Sequence, residues 1–360
     1  IVKIRNPLVA RFQNEPALVA SDKSAWFESC LEGAHTEMTS VRAQAKAAGE
    51  RMDSDDGNWW GEPGSFQSAI RPYVVRDGIL EIPIKGALLH DFPYAFFGYA
   101  TGYDYIWRAF ERGMGDLNVR GIALVVDSPG GMVAGCFECV DKMFAMRGRK
   151  PIRGYASESA YSAAYALISI VDPGELTVTR TGGVGSIGVV TSHVDVSEAL
   201  KQAGWAITFI FAGKHKVDGN PYEALPNDVK ARIQARIDGL YSIFVSTVAR
   251  NRGIDEQSVR DTEALTFSAA EACENGLADK IGALDDSLAD FSASLNPDSG
   301  DENMADFTQA QLDEAVAAAR VEERATATAA GATAAKDRIT AILGCENAKD
   351  RPSAALAAAI

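Results

Sequence analysis

From Gly121 onward the chain alternates short β-prone runs with helical stretches, an order that commits it to a parallel sheet with crossover helices. Gly121-Ile-Ala-Leu-Val-Val-Asp127 reads as a buried strand, Ser128-Pro-Gly-Gly131 as a tight turn, and Met132 to Met146 as the helix after it. The unit recurs at Ile152 to Ala156, a short strand that enters a small-residue turn and an alanine-rich helix over 162–170. Leu176-Thr-Val-Thr179 is a further strand. After the glycine turn Thr181-Gly-Gly-Val-Gly185, a strand is expected over Ser186 to Ser192 and a helix to Gln202. Trp205 to Phe211 is strongly β-prone, and a polar loop separates it from an amphipathic helix over about 227–251.

The flanks differ in character. Residues 1–68 read as a polar helical extension with a turn-rich end, Asp53 to Gly64, that holds the adjacent Trp59 and Trp60. Arg71 to Leu89 carries a hairpin signal about Asp77-Gly78, followed by an aromatic loop from Phe92 to Tyr105 that suits a groove wall or a subunit contact. The sheet domain is expected over 69–285, closing with a short helix ahead of Gly276. Residues 286–305 are acidic and bear Ser, Gly and Pro, the composition of a linker. Residues 306–360 follow, with capping-box spacing at Thr308 to Gln311 and an Ala-rich sequence that reads as an extended helical tail.

Composition removes several function classes. The formal net charge of -14 opposes nucleic acid or an anionic membrane as the main partner. No apolar run reaches the ~18 residues of a membrane span, so a soluble, cytoplasmic protein is expected. Five scattered cysteines make no disulfide framework. Cys136-Phe-Glu-Cys139 has half the spacing of a zinc site but lacks a second pair, so neither metal nor cofactor is expected. With four histidines, a Ser-His-Asp site is possible but not favoured.

Three stretches carry chemistry. Ser162 stands at the start of the alanine-rich helix, where unpaired N–H groups favour a developing anion, and Ala163 and Ala164 leave room for a substrate carbonyl. Ser157 and Ser159 are rival nucleophiles. In Asp127-Ser-Pro-Gly-Gly131, Gly130 and Gly131 can turn backbone amides into a cleft and, with the Ala163 amide, form an oxyanion hole. Gly213-Lys-His-Lys216 offers Lys214, His215 and Lys216, and a lysine acts as general base once desolvation frees its neutral form.

Together, in this order, the stretches resemble the S49 serine peptidases, a family that spans signal peptide peptidase A and phage capsid-assembly (head maturation) proteases. The resemblance covers about residues 70 to 285. It lies in Asp-Ser-Pro-Gly-Gly at 127–131, Ala-Tyr-Ser-Ala-Ala-Tyr at 160–165, Gly-Ser-Ile-Gly-Val at 185–189 and Ala-Gly-Lys-His-Lys at 212–216. It implies an α/β fold with a Clp-protease/crotonase-like core of repeated β-β-α units. It also implies a Ser-Lys dyad with Ser162 as nucleophile, Lys216 as general base and Ser186 holding the lysine amine. Gly131 or Gly130 and Ala163 would form the oxyanion hole. Ala163-Ala164 departs from the usual Gly-Gly, and Val184 from the usual Thr, which bears on pocket shape rather than on mechanism.

The expectation is a phage head maturation protease acting inside a procapsid on scaffold and portal proteins and on its own scaffold-like tail. The resemblance further implies a homo-oligomeric ring in which serine and lysine meet across a subunit boundary. The alternatives are a signal-peptide-peptidase-like protease of the cytoplasm, a crotonase-like acyl-CoA enzyme and a non-catalytic assembly protein.

Overall fold

The structure, a computed structural model, describes residues 6–12, 15–47 and 59–296. The turn-rich segment over 53–58, most of the expected linker and the whole tail over 306–360 lie outside the described residues. The chain opens with α1 (Pro7–Ala10), β1 (Ala17–Val19), α2 (Ser24–Ala47) and α3 (Phe66–Ile70). A hairpin of β2 (Val74–Arg76) and β3 (Ile79–Leu89) follows, then β4 (Ala95–Phe96), β5 (Ala100–Gly102) and α4 (Tyr103–Gly115). The hairpin turns where the sequence places it, with positive φ at both Asp77 (52°) and Gly78 (81°), the geometry of a tight two-residue turn.

The alternating half comprises β6 (Gly121–Met132), α5 (Cys136–Phe144), β7 (Ile152–Tyr161), α6 (Ala163–Ile168), β8 (Leu176–Val178) and β9 (Gly183–Gly185). After it come α7 (Ser197–Gln202), α8 (Asn227–Arg252), α9 (Glu256–Arg260), β10 (Thr266–Ser268), α10 (Ala269–Glu274), β11 (Lys280–Ile281) and α11 (Leu284–Leu295). The strands form one 11-stranded sheet whose main path runs β10-β9-β7-β6-β3-β5-β4. Its centre, β3, β6 and β7, is parallel; antiparallel pairs sit at its margins, such as β10 on β9 and β4 on β5.

Strand β7 splits its pairing. Its first half lies beside β8, with Gly154 opposite Leu176, and its second half beside β9, with Ser159 opposite Gly183. The sheet is thereby forked at the C-terminal end of β7, where a cleft can open. Apolar side chains of β3, β6 and β7 pack on α4, α5 and α6, and every residue of α6 is buried.

Five expectations need correction. Ser128 to Gly131 is not a turn: β6 runs on to Met132, with register shifts near Asp127, and α5 starts only at Cys136. The N-terminal segment is not a separate extension, since β1 joins the central sheet beside β6 and α2 buries Phe27, Leu31 and Ala34 against Leu89, Phe92 and Phe96. Residues 286–295 are not linker but α11, because Leu284, Leu288, Phe291 and Leu295 share one helical face that covers Ile79, Val125 and Tyr155. Trp205 to Phe211 forms no strand, and Ser186 to Ser192 contributes only a single bridge at Val190.

Candidate active site

Strand β7 ends at Tyr161 and α6 begins at Ala163, so Ser162 is a one-residue elbow between them. Its backbone angles, φ 54° and ψ -116°, are ones a non-glycine residue holds only at a cost of order 1–3 kcal/mol. Neighbouring bonds enforce the strain. The Ser162 N–H donates to Gly185 O at 2.8 Å, and its carbonyl accepts from Ala166 N–H at 3.1 Å. Helix α6 is itself fixed, with Tyr165 Oη donating to Leu277 O (2.9 Å) and Asn251 Nδ2 to Ser169 Oγ (2.9 Å).

The hydroxyl that this elbow presents is 0% exposed and has no hydrogen-bond partner, the one such buried side-chain polar atom among the described residues. Buried polar groups are ordinarily paired, so an orphaned hydroxyl on a strained residue marks a functional position. The rivals are placed differently. Ser157 lies within β7 and donates to Val126 O at 3.1 Å; Ser159 is also in the strand, its N–H donating to Asp127 Oδ1 at 3.3 Å.

Ser186 directly follows the carbonyl that holds the elbow. It is buried, has φ 53°, and is fixed by its N–H donating to Leu265 O at 2.8 Å. The register Ser128↔Ala160 brings the two glycines of β6 alongside the elbow. The structure distinguishes them. The Gly130 N–H donates to Ser128 Oγ at 3.1 Å, and Ser128 Oγ donates in turn to Gly86 O at 2.7 Å, which ties down the register shift. The Gly130 amide is thus tied to that hydroxyl and the Gly131 amide is not, while the Ala163 N–H, at the first residue of α6, has no intrahelical acceptor. Ser128 was not singled out by sequence; its signal was a hydroxyl two residues ahead of a glycine in a strand that must bulge.

Lys216 is not assembled with these groups. It sits exposed in the turn beyond Gly213, and among the described residues no lysine bonds to Ser162 Oγ. Lys214 and His215 are exposed in the same turn, with His215 Nδ1 2.9 Å from Asp218 Oδ2 and Arg232 also paired to that carboxylate. The apolar residues just before this turn are bare, with Trp205 67% and Ile210 99% exposed. Cys136 and Cys139 are buried in α5; burial pushes the Cys136 thiol up to about 12 and the Cys139 thiol higher still, so both thiols pack as apolar groups.

Comparison with known proteins adds to this picture. The sequence profile of peptidase family S49 matches residues 145–296. Capsid assembly protease C of Escherichia phage lambda is 35% identical over 306 residues, which are 78% of this chain and 68% of that protein. The head-tail preconnector protein GP5 of Enterobacteria phage P21 is 37% identical over 282 residues, 78% of this chain and 52% of that protein. The chain thus spans about half the length of one relative and two thirds of the other.

Proposed function

The chain belongs to peptidase family S49, and on that premise we propose that it is the serine endopeptidase of phage head maturation, working through Ser162 and Lys216. The observation that carries the reading is the elbow. Ser162 combines strained backbone, an orphaned buried hydroxyl and a position at the mouth of the forked sheet.

In the proposed reaction the Ser162 Oγ attacks the scissile carbonyl while the neutral Lys216 amine takes its proton. The Gly131 and Ala163 amides hold the oxyanion, and the lysine then returns the proton to the departing amine. Ser186 orients the lysine amine. We further assign a Clp-protease/crotonase-like core, for which the forked parallel sheet and the glycine-bearing end of β6 are the supporting features.

Because Lys216 is exposed and Ser162 Oγ has no partner among the described residues, the lysine is assigned to a neighbouring copy in a ring. The exposed Trp205, Ile207, Ile210 and Phe211 support this, since 205–211 has no partner strand among the described residues. The proposed substrates are scaffold and portal proteins and the chain's own tail beyond residue 305, inside the procapsid. Among the described residues, no helix is long and apolar enough to cross a membrane.

The test is a fluorophosphonate probe followed by peptide mapping. The expected adduct is on Ser162, absent in Ser162→Ala together with casein-cleaving activity. Labelling elsewhere, or activity retained in that variant, would overturn the assignment.

A further inference from the structure

The end of β6 that runs beside the Ser162 elbow already carries an extended segment, and that segment is the chain's own. Strand β1 lies antiparallel to the end of β6, with Val19 opposite Gly130, Leu18 opposite Gly131 and Ala17 opposite Met132. On its other edge it meets the segment after Ser186: Ala17 N–H donates to Val190 O at 2.8 Å, and Val190 N–H to Ala17 O at 3.0 Å. Three residues are thus held between two edges, the way a sheet captures an extended peptide by strand addition.

The register sets what that capture blocks. Ala20 N–H donates to Pro129 O at 3.0 Å, so residues 20 and 129 form a hydrogen-bonded pair. Two residues along, the alternation of an antiparallel ladder makes Leu18 and Gly131 the next pair whose N–H and C=O groups face each other. The Gly131 amide that would hold an oxyanion therefore faces the Leu18 carbonyl. One N–H cannot serve both.

The side chains agree with the backbone. Leu18 and Ala20 are fully buried, so the groove accepts a branched aliphatic residue at this point. Val19, Ser21 and Asp22 then line one side of a cavity of about 420 Å³ whose other side includes Ser186 and Leu265. Beyond it Lys23 Nζ lies 5.9 Å from the centre of the Tyr161 ring, next to the elbow. A second cavity, of about 530 Å³, lies between Val190, His193 and α8; Ser186 lines the first cavity and not the second.

We propose that residues 16–22 are an internal occupant of the substrate groove, a strap that closes the Ser162 site until it withdraws and a protein substrate takes its place on Gly131 and Val190. The proposal rests on reading Ser162 as the nucleophile. It accounts for a nucleophile that is sealed, with its hydroxyl buried and unpartnered. On its C-terminal side the strap is tethered by α2, which packs Phe27, Leu31 and Ala34 against Leu89, Phe92 and Phe96.

The experiment locks the strap. Ala17 and Val190 form a hydrogen-bonded antiparallel pair, whose Cα atoms lie about 5.5 Å apart, within disulfide reach. In the full chain carrying Ala17→Cys and Val190→Cys, with the bridge verified by mass spectrometry, casein hydrolysis and probe labelling of Ser162 should fall at least tenfold on oxidation. Reduction should restore both. Equal rates in the two states would overturn the proposal.

Hydrogen exchange of the unmodified chain decides the matter independently of activity, should no Ser162-dependent cleavage be found in any form. Amides of residues 17–20 that exchange at least 100-fold faster than those of Ile82 and Ile84 support a strap that opens locally. Protection equal to that of β3 would make β1 a permanent strand and end the idea, whatever becomes of the protease assignment.

Discussion

At the scale of single residues, the elbow makes opposite demands on stability and chemistry. Ser162→Ala removes an unpaired buried hydroxyl and should raise unfolding free energy by about 1 kcal/mol, while abolishing cleavage. Ser162→Gly should add about 1–3 kcal/mol more, because glycine takes φ 54° without strain. Urea unfolding beside a casein assay measures both, and a loss of stability in either variant would mean that the hydroxyl has a partner after all. Asp127 gives a pH signature. Burial pushes its carboxyl above the usual range, against the Ser159 N–H it accepts and the nearby Lys85. A raised native pKa means that the fold holds this proton more tightly than the unfolded chain does. Its contribution therefore favours the fold below about pH 4, the unfolded carboxyl value, and is lost as pH rises through the native value. Asp127→Asn, which removes that titration, should gain melting temperature over the parent as pH rises across this window and then hold a constant lead. A lead that shrinks with pH would refute the sign.

At the scale of elements, α6 and α8 are fixed to the sheet by few polar contacts, each placed where loss is costly. Arg252, 5% exposed, donates to Asp279 Oδ1 at 2.7 Å and to Gly276 O, while Asp279 Oδ2 accepts the Leu176 N–H. Arg252→Ala strands this carboxylate at the edge of β8 and should cost about 3 kcal/mol, read as a shift of the urea midpoint at unchanged slope. A cost below about 1 kcal/mol would put the pair in the class of surface ion pairs. The elements also explain what was legible in the sequence. Strand β3, the first halves of β6 and β7, and helix α8 stood out because their apolar patterns are unbroken, while the small-residue second halves of β6 and β7 read as turns. The elbow stood out because small residues follow Ser162. Trp205 to Phe211 misled because strand propensity measures fit to a neighbouring strand, and none lies beside it among the described residues. Strand β1 was invisible, being three residues whose partners lie more than a hundred positions away. Helix α11 carried its apolar spacing openly, but acidic and serine residues between those positions gave it the composition of a linker.

At the scale of the whole molecule, the candidate site is assembled from distant parts of the chain, and its proposed base lies on an exposed loop. If the dyad is shared, mixing Ser162→Ala with Lys216→Ala, each inactive alone, should restore part of the wild-type casein rate, since some interfaces then pair an intact serine with an intact lysine. Mixed oligomers that form by light scattering yet stay silent would place both residues in one chain. The N-terminal strand has a further consequence for how the protein is made. Residues 17–19 find their pairing edges only at 130–132 and at 190, so they leave the ribosome long before either exists. At about 5–20 residues per second, the wait for residue 190 is roughly 10–30 s. Through that interval an apolar segment headed for the interior has nothing to bind. The newborn chain is then open to chaperones and to its neighbours on the same message until both edges exist.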